Sequence, residues 1–468
     1  MKTVLKNCRV LGTTHDKDML HDIYVENGII EKIGLNLEVE GAKQIDVGGH
    51  TVMSGLIDMH CNICDPGHEY IEDIATASRA ALRGGFTTIT CEPNTDPVID
   101  NKTVVEYIVS KSKEKSLVNI YPYGSMSIGC KGQEIAEIGE MYDAGIVGIS
   151  DGDEFTDSAA FLRNVMIYTK MFDLPVLTHC EDRSLSGVGV MNEGYTAACL
   201  GLTGMPREAE EVIVARNLNL AERTGVHLHL SHISTKGSVQ LIREAKGRGV
   251  PVTCETCPHY FILTEDAIGD YDTFAKVNPP LRAKEDVYAI IEGIMDGTID
   301  VIASGHSPTN MTEKEREFDV AAYGISALET ALSLSYTHLV ETGYITVEHL
   351  IRLMSAKPAE ILKLYNKGSL AEMFVGLELL KYDNPYEWQR LYYWQREEPK
   401  SQAEVDYVII RHGDIIPLEV KAGKRGSMQS LYLFLEKKGA SYGIRCALEP
   451  YSTYEKIRVY PLYAVSEI

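Results

Sequence analysis

A chain of 468 residues, 44% hydrophobic and 24% charged, has room for one large globular domain and a smaller one. Its formal net charge of -22 argues against a general nucleic-acid coat and against binding to anionic membrane. No apolar run approaches the ~20 residues of a membrane span. The first seven residues lack the apolar core of a signal peptide, so the ten cysteines read as reduced thiols of a cytoplasmic protein.

Residues 1–54 read as short strands broken by turns, a small β domain. The clearest is a hairpin over residues 23–30, turning at Asn27-Gly28. From residue 55 to about 306, apolar strand runs alternate with helical patterns, the mark of parallel β/α units. Eight strands are predicted, over residues 56–60, 86–91, 118–123, 145–151, 175–180, 226–232, 252–257 and 301–306. Eight such units close into a TIM barrel, typically ~250 residues long. Residues 209–216 carry helical periodicity, and a further helical region follows over residues 325–364. The predicted fold class is α/β: a small N-terminal β domain, a (β/α)8 barrel over 55–365, and a third domain over 366–468.

Chemistry collects at the strand ends. The run Gly55-Leu56-Ile57-Asp58-Met59-His60-Cys61-Asn62 leads into a loop at Pro66-Gly67. Alternation along a strand puts His60 and Asn62 on one face and Cys61 on the other. The fourth strand ends in Asp151, the fifth in His179, the sixth in His232 and the eighth in His306. Several imidazoles and a carboxylate at one barrel edge make a metal-site pattern suited to zinc and similar ions. The pairs Cys61/Cys64 and Cys254/Cys257 are too far apart for a zinc ribbon.

The frame around His60 resembles the first strand of the dihydroorotase family of amidohydrolases. The same resemblance runs through Cys91-Glu92-Pro93-Asn94-Thr95, His179-Cys180-Glu181-Asp182, Met191-Asn192-Glu193-Gly194, Ser231-His232-Ile233-Ser234 and Asn278-Pro279-Pro280-Leu281-Arg282. It covers about residues 1–365. It implies a metal-dependent hydrolase of cyclic amides that interconverts dihydroorotate and N-carbamoyl-aspartate in pyrimidine biosynthesis. It implies metal ligands Asp151, His179, His232 and His60, and substrate contacts from Asn94 and Asn278. Several family positions have changed, Ser54 standing for the first Pro of the first-strand frame. Asn62 stands for the second first-strand His, Cys64 for the substrate-binding Arg, and Gly305 for the eighth-strand Asp that carries the proton; a family His after strand eight is Thr309. The reading is therefore a degraded site with one Zn2+ per chain rather than two, no assigned catalytic acid, and His306 as the neighbour of the lost Asp. The rival reading is a non-catalytic relative, a homodimer or a binding partner of aspartate transcarbamoylase.

From residue 366 the words Leu370-Ala371-Glu372-Met373-Phe374, Leu391-Tyr392-Tyr393-Trp394 and Pro417-Leu418-Glu419-Val420-Lys421 resemble a different family. They are similar to the PD-(D/E)xK nuclease-like C-terminal domain of a bacterial AAA-type ATPase family. Asp406, Glu419 and Lys421 match its pattern: two carboxylates to hold Mg2+ and a lysine to orient water. No Walker A loop occurs, so this domain reads as an inert remnant, with a nucleic-acid-acting role as the alternative. If the chain is a fusion of unrelated fragments, the N-terminal strands lack their usual partners and leave an open sheet edge.

Overall fold

The computed structural model describes residues 2–11, 19–152, 156–364, 392–395, 404–411, 414–421, 429–438, 440–447 and 451–461. They fall into two compact units, Met1–Glu372 and Met373–Ile468. No helix among the described residues is long and apolar enough to cross a membrane.

The first unit opens with a five-stranded sheet built on Lys2–Val10. His21–Glu26 pairs antiparallel with it, and Lys43–Asp46 and Thr51–Val52 pair parallel. The predicted hairpin turns at Asn27 and Gly28, both at positive φ (51° and 84°), which is the two-residue turn that matches strand twist. Its second strand, Ile29–Gly34, is a sheet edge, and Ile29 there is 64% exposed.

Eight parallel strands then close the barrel. In order they are Leu56–Asp58, Phe86–Cys91, Asn119–Pro122 continued by Gly124–Ser125, Ile149–Ser150, Val176–His179, Leu228–Ser231, Val252–Thr256 and Val301–Ile302. Each pairs with the next. A parallel bridge between Cys61 and His306, with the Asn62 amide donating to the His306 carbonyl at 2.8 Å, joins the last to the first. A closed barrel leaves no open edge.

Several strands are shorter than predicted, for identifiable reasons. The fourth starts late because Gly145, at φ 112°, ends the helix Ile138–Ala144 in left-handed backbone. The eighth stops early because Gly305 turns the chain at φ 64°. As a result His60, Asp151, His232 and His306 all sit in the loops just past their strands. Side-chain caps set where those loops end. Asn101, Ser158 and Thr235 each accept backbone N–H bonds at the start of the helices Lys102–Lys115, Ala159–Thr169 and Lys236–Gly247.

Two packed layers hold the barrel. Ile57, Met59, Tyr123, Leu177, Val301 and Ala303 form one cluster, and a larger one joins Leu56, Cys61, Phe86 and Ile89 to the surrounding helices. Cys61 thus packs into the outer layer.

In the second unit, a six-stranded sheet runs Tyr392–Gln395, Glu404–Arg411, Asp414–Lys421, Gly443–Ala447, Ile457–Pro461, Ser452–Tyr454. Leu431, Phe434 and Leu435 of the helix Gln429–Lys438 pack on Ile457. Tyr407 and Leu418 are paired across an antiparallel hairpin. Asp406 and Glu419 therefore lie on neighbouring strands, with Lys421 at the end of the second. Residues 366–391, which carry the first words of the C-terminal resemblance, lie outside the described residues.

Candidate metal centre at the barrel mouth

His60, pinned beside the seam between strands one and eight, is buried against His232, the ring centroids 3.8 Å apart. His232 stands one residue past strand six in left-handed backbone, φ 55°. A bulky residue there is strained, and such outliers cluster at functional sites.

The third member of this group comes from strand seven. Glu255 is fully buried, its Oε1 3.1 Å from His60 Nδ1 and 3.7 Å from His232 Nδ1. Its other oxygen lies 3.3 Å from His229 Nε2. His229 Nδ1 is in turn 2.9 Å from Thr253 Oγ1. Cys257 Sγ is 3.3 Å from His232 Nδ1. Thr253, Glu255 and Cys257 alternate along one strand end and each reaches a histidine, as the two-residue period of a strand dictates.

The protonation states suit a metal. Burial, reinforced by the neighbouring His60, holds His232 well below the usual imidazole range, so it is neutral. Burial pushes Glu255 up, but the His229 and His60 rings outweigh it and hold the carboxyl well below the usual carboxylate range. Neutral imidazole and ionised carboxylate are the forms that bind metal. Among the described residues, the ligand atoms of His60, His232 and Glu255 all lie within 4.8 Å of one another. The donor set fits a divalent ion such as zinc.

The remaining predicted residues surround this group. Asp151 is buried and its Oδ1 accepts the His179 backbone N–H at 3.0 Å. Burial and the nearby Glu92 charge push its carboxyl well above the ordinary range. The His179 ring centroid is 6.1 Å from that of His232, and its Nε2 is 3.4 Å from Glu181 Oε2. Asn278 donates through Nδ2 to the same Glu181 oxygen at 2.9 Å, and Ser186 donates to the other at 2.5 Å. Burial raises Glu181, yet these partners bring it down to about 2. Asn94, half-buried after strand two, lies beside Gly152, where a Cβ would be 3.5 Å from its own.

His306 has partners of its own. Its Nε2 is 2.6 Å from Glu72 Oε2 and its Nδ1 accepts the Ala327 N–H at 3.1 Å. Both ring nitrogens are thus engaged, and His306 is not among the atoms that converge with His60 and His232. Gly305 presents no side chain, and none fits as the chain stands: a Cβ there would be 2.6 Å from Cys257 Sγ.

Sequence reasoning missed Glu255, His229 and Cys257 as members of the mouth. The signal for Glu255 was its place: an acid in the middle of a predicted buried strand.

A closed barrel with histidines and a carboxylate converging at the C-terminal ends of its strands defines a metal-dependent amidohydrolase barrel. A family described as dihydro-orotase-like matches residues 49–238, and a domain of unknown function matches 367–465. A dihydroorotase from Acetivibrio thermocellus is 49% identical over 367 residues, 78% of this chain and 86% of that protein. One from Ruminiclostridium cellulolyticum is 46% identical over 370 residues, 79% and 86% of the two chains. Among solved structures, an L-hydantoinase (dihydropyrimidinase) from Arthrobacter aurescens superposes with a TM-score of 0.70 at 26% identity, covering 78% of this chain and 83% of that one. A D-hydantoinase at 23% identity and TM-score 0.67, covering 77% and 81%, shares the fold. The chain belongs to the dihydroorotase family: it is a dihydroorotase-like cyclic amidohydrolase joined to a C-terminal domain of unknown function.

Proposed function

We propose that the barrel mouth hydrolyses a cyclic amide in the sense of dihydroorotate to N-carbamoyl-aspartate, with one zinc ion per chain. Water adds to the ring carbonyl carbon, the ring C–N bond breaks, and a carboxylate and a ureido N–H form. The ring-to-ring contact of His60 and His232, 3.8 Å between centroids, is the observation that carries this reading. The ligands read from the sequence are His60, Asp151, His179 and His232. When bound, zinc supplies Lewis acidity and a hydroxide at neutral pH. The chain's residues hold and enclose the ring. Asn94 and Asn278 flank the mouth, and the backbone bond from His179 to Asp151 fixes the loop after strand four against strand five. Gly305 removes the carboxylate that carries the proton in the family, a loss worth ~10²–10⁴ in rate.

One observation favours a second substrate reading. Cys64 replaces the substrate Arg, and Asn278 is committed to an ionised Glu181. An anionic ring meets repulsion here, so an uncharged cyclic amide is the better fit. The nuclease-like role of Asp406, Glu419 and Lys421 and a partner such as aspartate transcarbamoylase stand behind these two.

The test is ring opening and closure by the purified chain, stripped with chelator and restored with zinc, beside His232→Asn. Zinc-dependent turnover that the variant loses supports hydrolysis. Turnover indifferent to zinc and to the variant refutes the site. Absence of turnover on anionic and neutral rings alike leaves the barrel as a binding scaffold.

A further inference from the structure

We infer that Lys276 is a positioning residue for one wall of the mouth: it ties the loop after strand seven to the loop after strand eight and so sets where Asn278 stands. The inference rests on the reading that the mouth turns over a cyclic amide and that Asn278 contacts it.

Three basic side chains are buried among the described residues: Lys276, Arg282 and Lys314. Arg282 lies against the carboxylate of Glu210. Lys276 and Lys314 form no ion pair among the described residues and donate to backbone carbonyls instead. Burying a charge among neutral groups is costly, and here each ammonium fastens its own loop to the other's. Lys276, in the loop after strand seven, donates to the carbonyls of Phe318 and Asp319 at 2.6 and 3.1 Å. Lys314, in the loop after strand eight, donates back to Thr273 and Lys276 at 3.0 and 3.2 Å. The ring centroids of Tyr323 and Phe318 lie 4.6 and 5.4 Å from the Lys276 ammonium, where aromatic faces attract a cation.

The backbone of Lys276 is fastened too. Its carbonyl accepts the Gly324 N–H at 3.1 Å. Gly324, at φ 123°, has no room for a side chain, because a Cβ would be 2.4 Å from the Ser307 carbonyl oxygen. Between Lys276 and Asn278, Val277 packs with Cys257, Tyr260 and Leu281, and the Tyr260 hydroxyl donates to the Pro279 carbonyl at 2.8 Å. On the facing loop, Thr309 stands where the family has a His and donates to the Tyr323 carbonyl at 3.1 Å. The Tyr323 hydroxyl donates to the Gly189 carbonyl, in the loop after strand five, at 3.0 Å. Lys276 is thus the crossing point of a frame that holds Asn278 and Thr309 in one register.

The experiment is a double-mutant cycle in steady-state kinetics of the zinc-loaded full chain on dihydroorotate and dihydrouracil, with Lys276→Met, Asn278→Ala and the pair. Lys276→Met is expected to raise KM about 3- to 10-fold, the worth of one hydrogen bond. The expected change in kcat is within about 2-fold, because a contact made alike in ground and transition states acts on KM. In the Asn278→Ala background the same substitution is expected to move KM by less than about 2-fold, since it acts through a contact already removed. A loss of stability alone would not produce that coupling. Should Lys276→Met fail to fold, Lys314→Met removes the reciprocal tie, and the same non-additive rise in KM is expected from it. Effects that add across the cycle, or a fall in kcat with KM unchanged, overturn the positioning role while hydrolysis stands. No turnover by wild type on either ring overturns the proposed function, and this role with it.

Discussion

The thiol of Cys257 stands where a side chain at residue 305 would have to grow: a Cβ on Gly305 would be 2.6 Å from Cys257 Sγ and 3.2 Å from His259 Cε1. Gly305 also has φ 64°, a region that L side chains adopt at a cost. Putting back the family's Asp alone is expected to destabilise the chain by about 1–3 kcal/mol. Combining Gly305→Asp with Cys257→Ala is expected to recover part of that loss. Urea denaturation of the two single variants and the double variant measures the coupling, and strict additivity would show that the two positions do not compete for space.

Glu181 places an ionised carboxylate beside Asn278 and His179. Neutralising it with Glu181→Gln is expected to lower KM for dihydroorotate by roughly 2- to 10-fold, the size of a partly screened repulsion between like charges. KM for an uncharged ring such as dihydrouracil is expected to stay put. Steady-state kinetics on both substrates checks this, and an equal change in the two would place the effect in packing rather than charge.

Arg282 is buried in the loop after strand seven. It donates through Nε to Ser234 Oγ at 3.0 Å and through Nη1 to Asn192 Oδ1 at 3.2 Å, and its Nη2 lies 3.5 Å from Glu210 Oε2. Glu210 in turn accepts the Ser234 and Thr235 amides, both at 3.2 Å, and so fixes the loop that follows His232. Arg282→Met leaves Glu210 buried without this cation. The expected loss is about 3–5 kcal/mol, read by chemical denaturation.

Lys314 gives the pH dependence a handle remote from the metal group. Its ammonium is buried against the carbonyls of Thr273 and Lys276, at 3.0 and 3.2 Å. Burial, with the charge of Lys276, lowers it to about 8. The unfolded chain therefore holds this proton up to about pH 10.4 while the folded chain releases it above about 8. Between those values the unfolded state binds more protons, so this residue makes stability rise with pH, by about 1–3 kcal/mol. Lys314→Met is expected to flatten that rise when melting is followed from pH 7.5 to 10. An unchanged slope would mean that the ammonium stays charged in place.

The barrel was legible because its strands are apolar runs bounded by turns, and because His60, Asp151, His179, His232 and His306 each follow one. What the strand pattern did not reveal was convergence. His306 looks equivalent to His232 along the chain, yet its ring nitrogens are taken by Glu72 and the Ala327 amide. Glu255 looks like an isolated charge, yet alternation with Thr253 and Cys257 aims it at three histidines on two other elements. Such contacts join residues far apart in sequence, and no local period encodes which of them will meet. The short eighth strand was hidden for a local reason. A glycine at positive φ looks in sequence like any small residue in an apolar run.

The claim on which this account depends is that the mouth holds a single ion. Elemental analysis of the full chain after zinc loading and removal of free metal tests it directly. One zinc per chain is expected, lost in His60→Asn and His232→Asn. Two zinc ions per chain, or one that survives both substitutions, would contradict it.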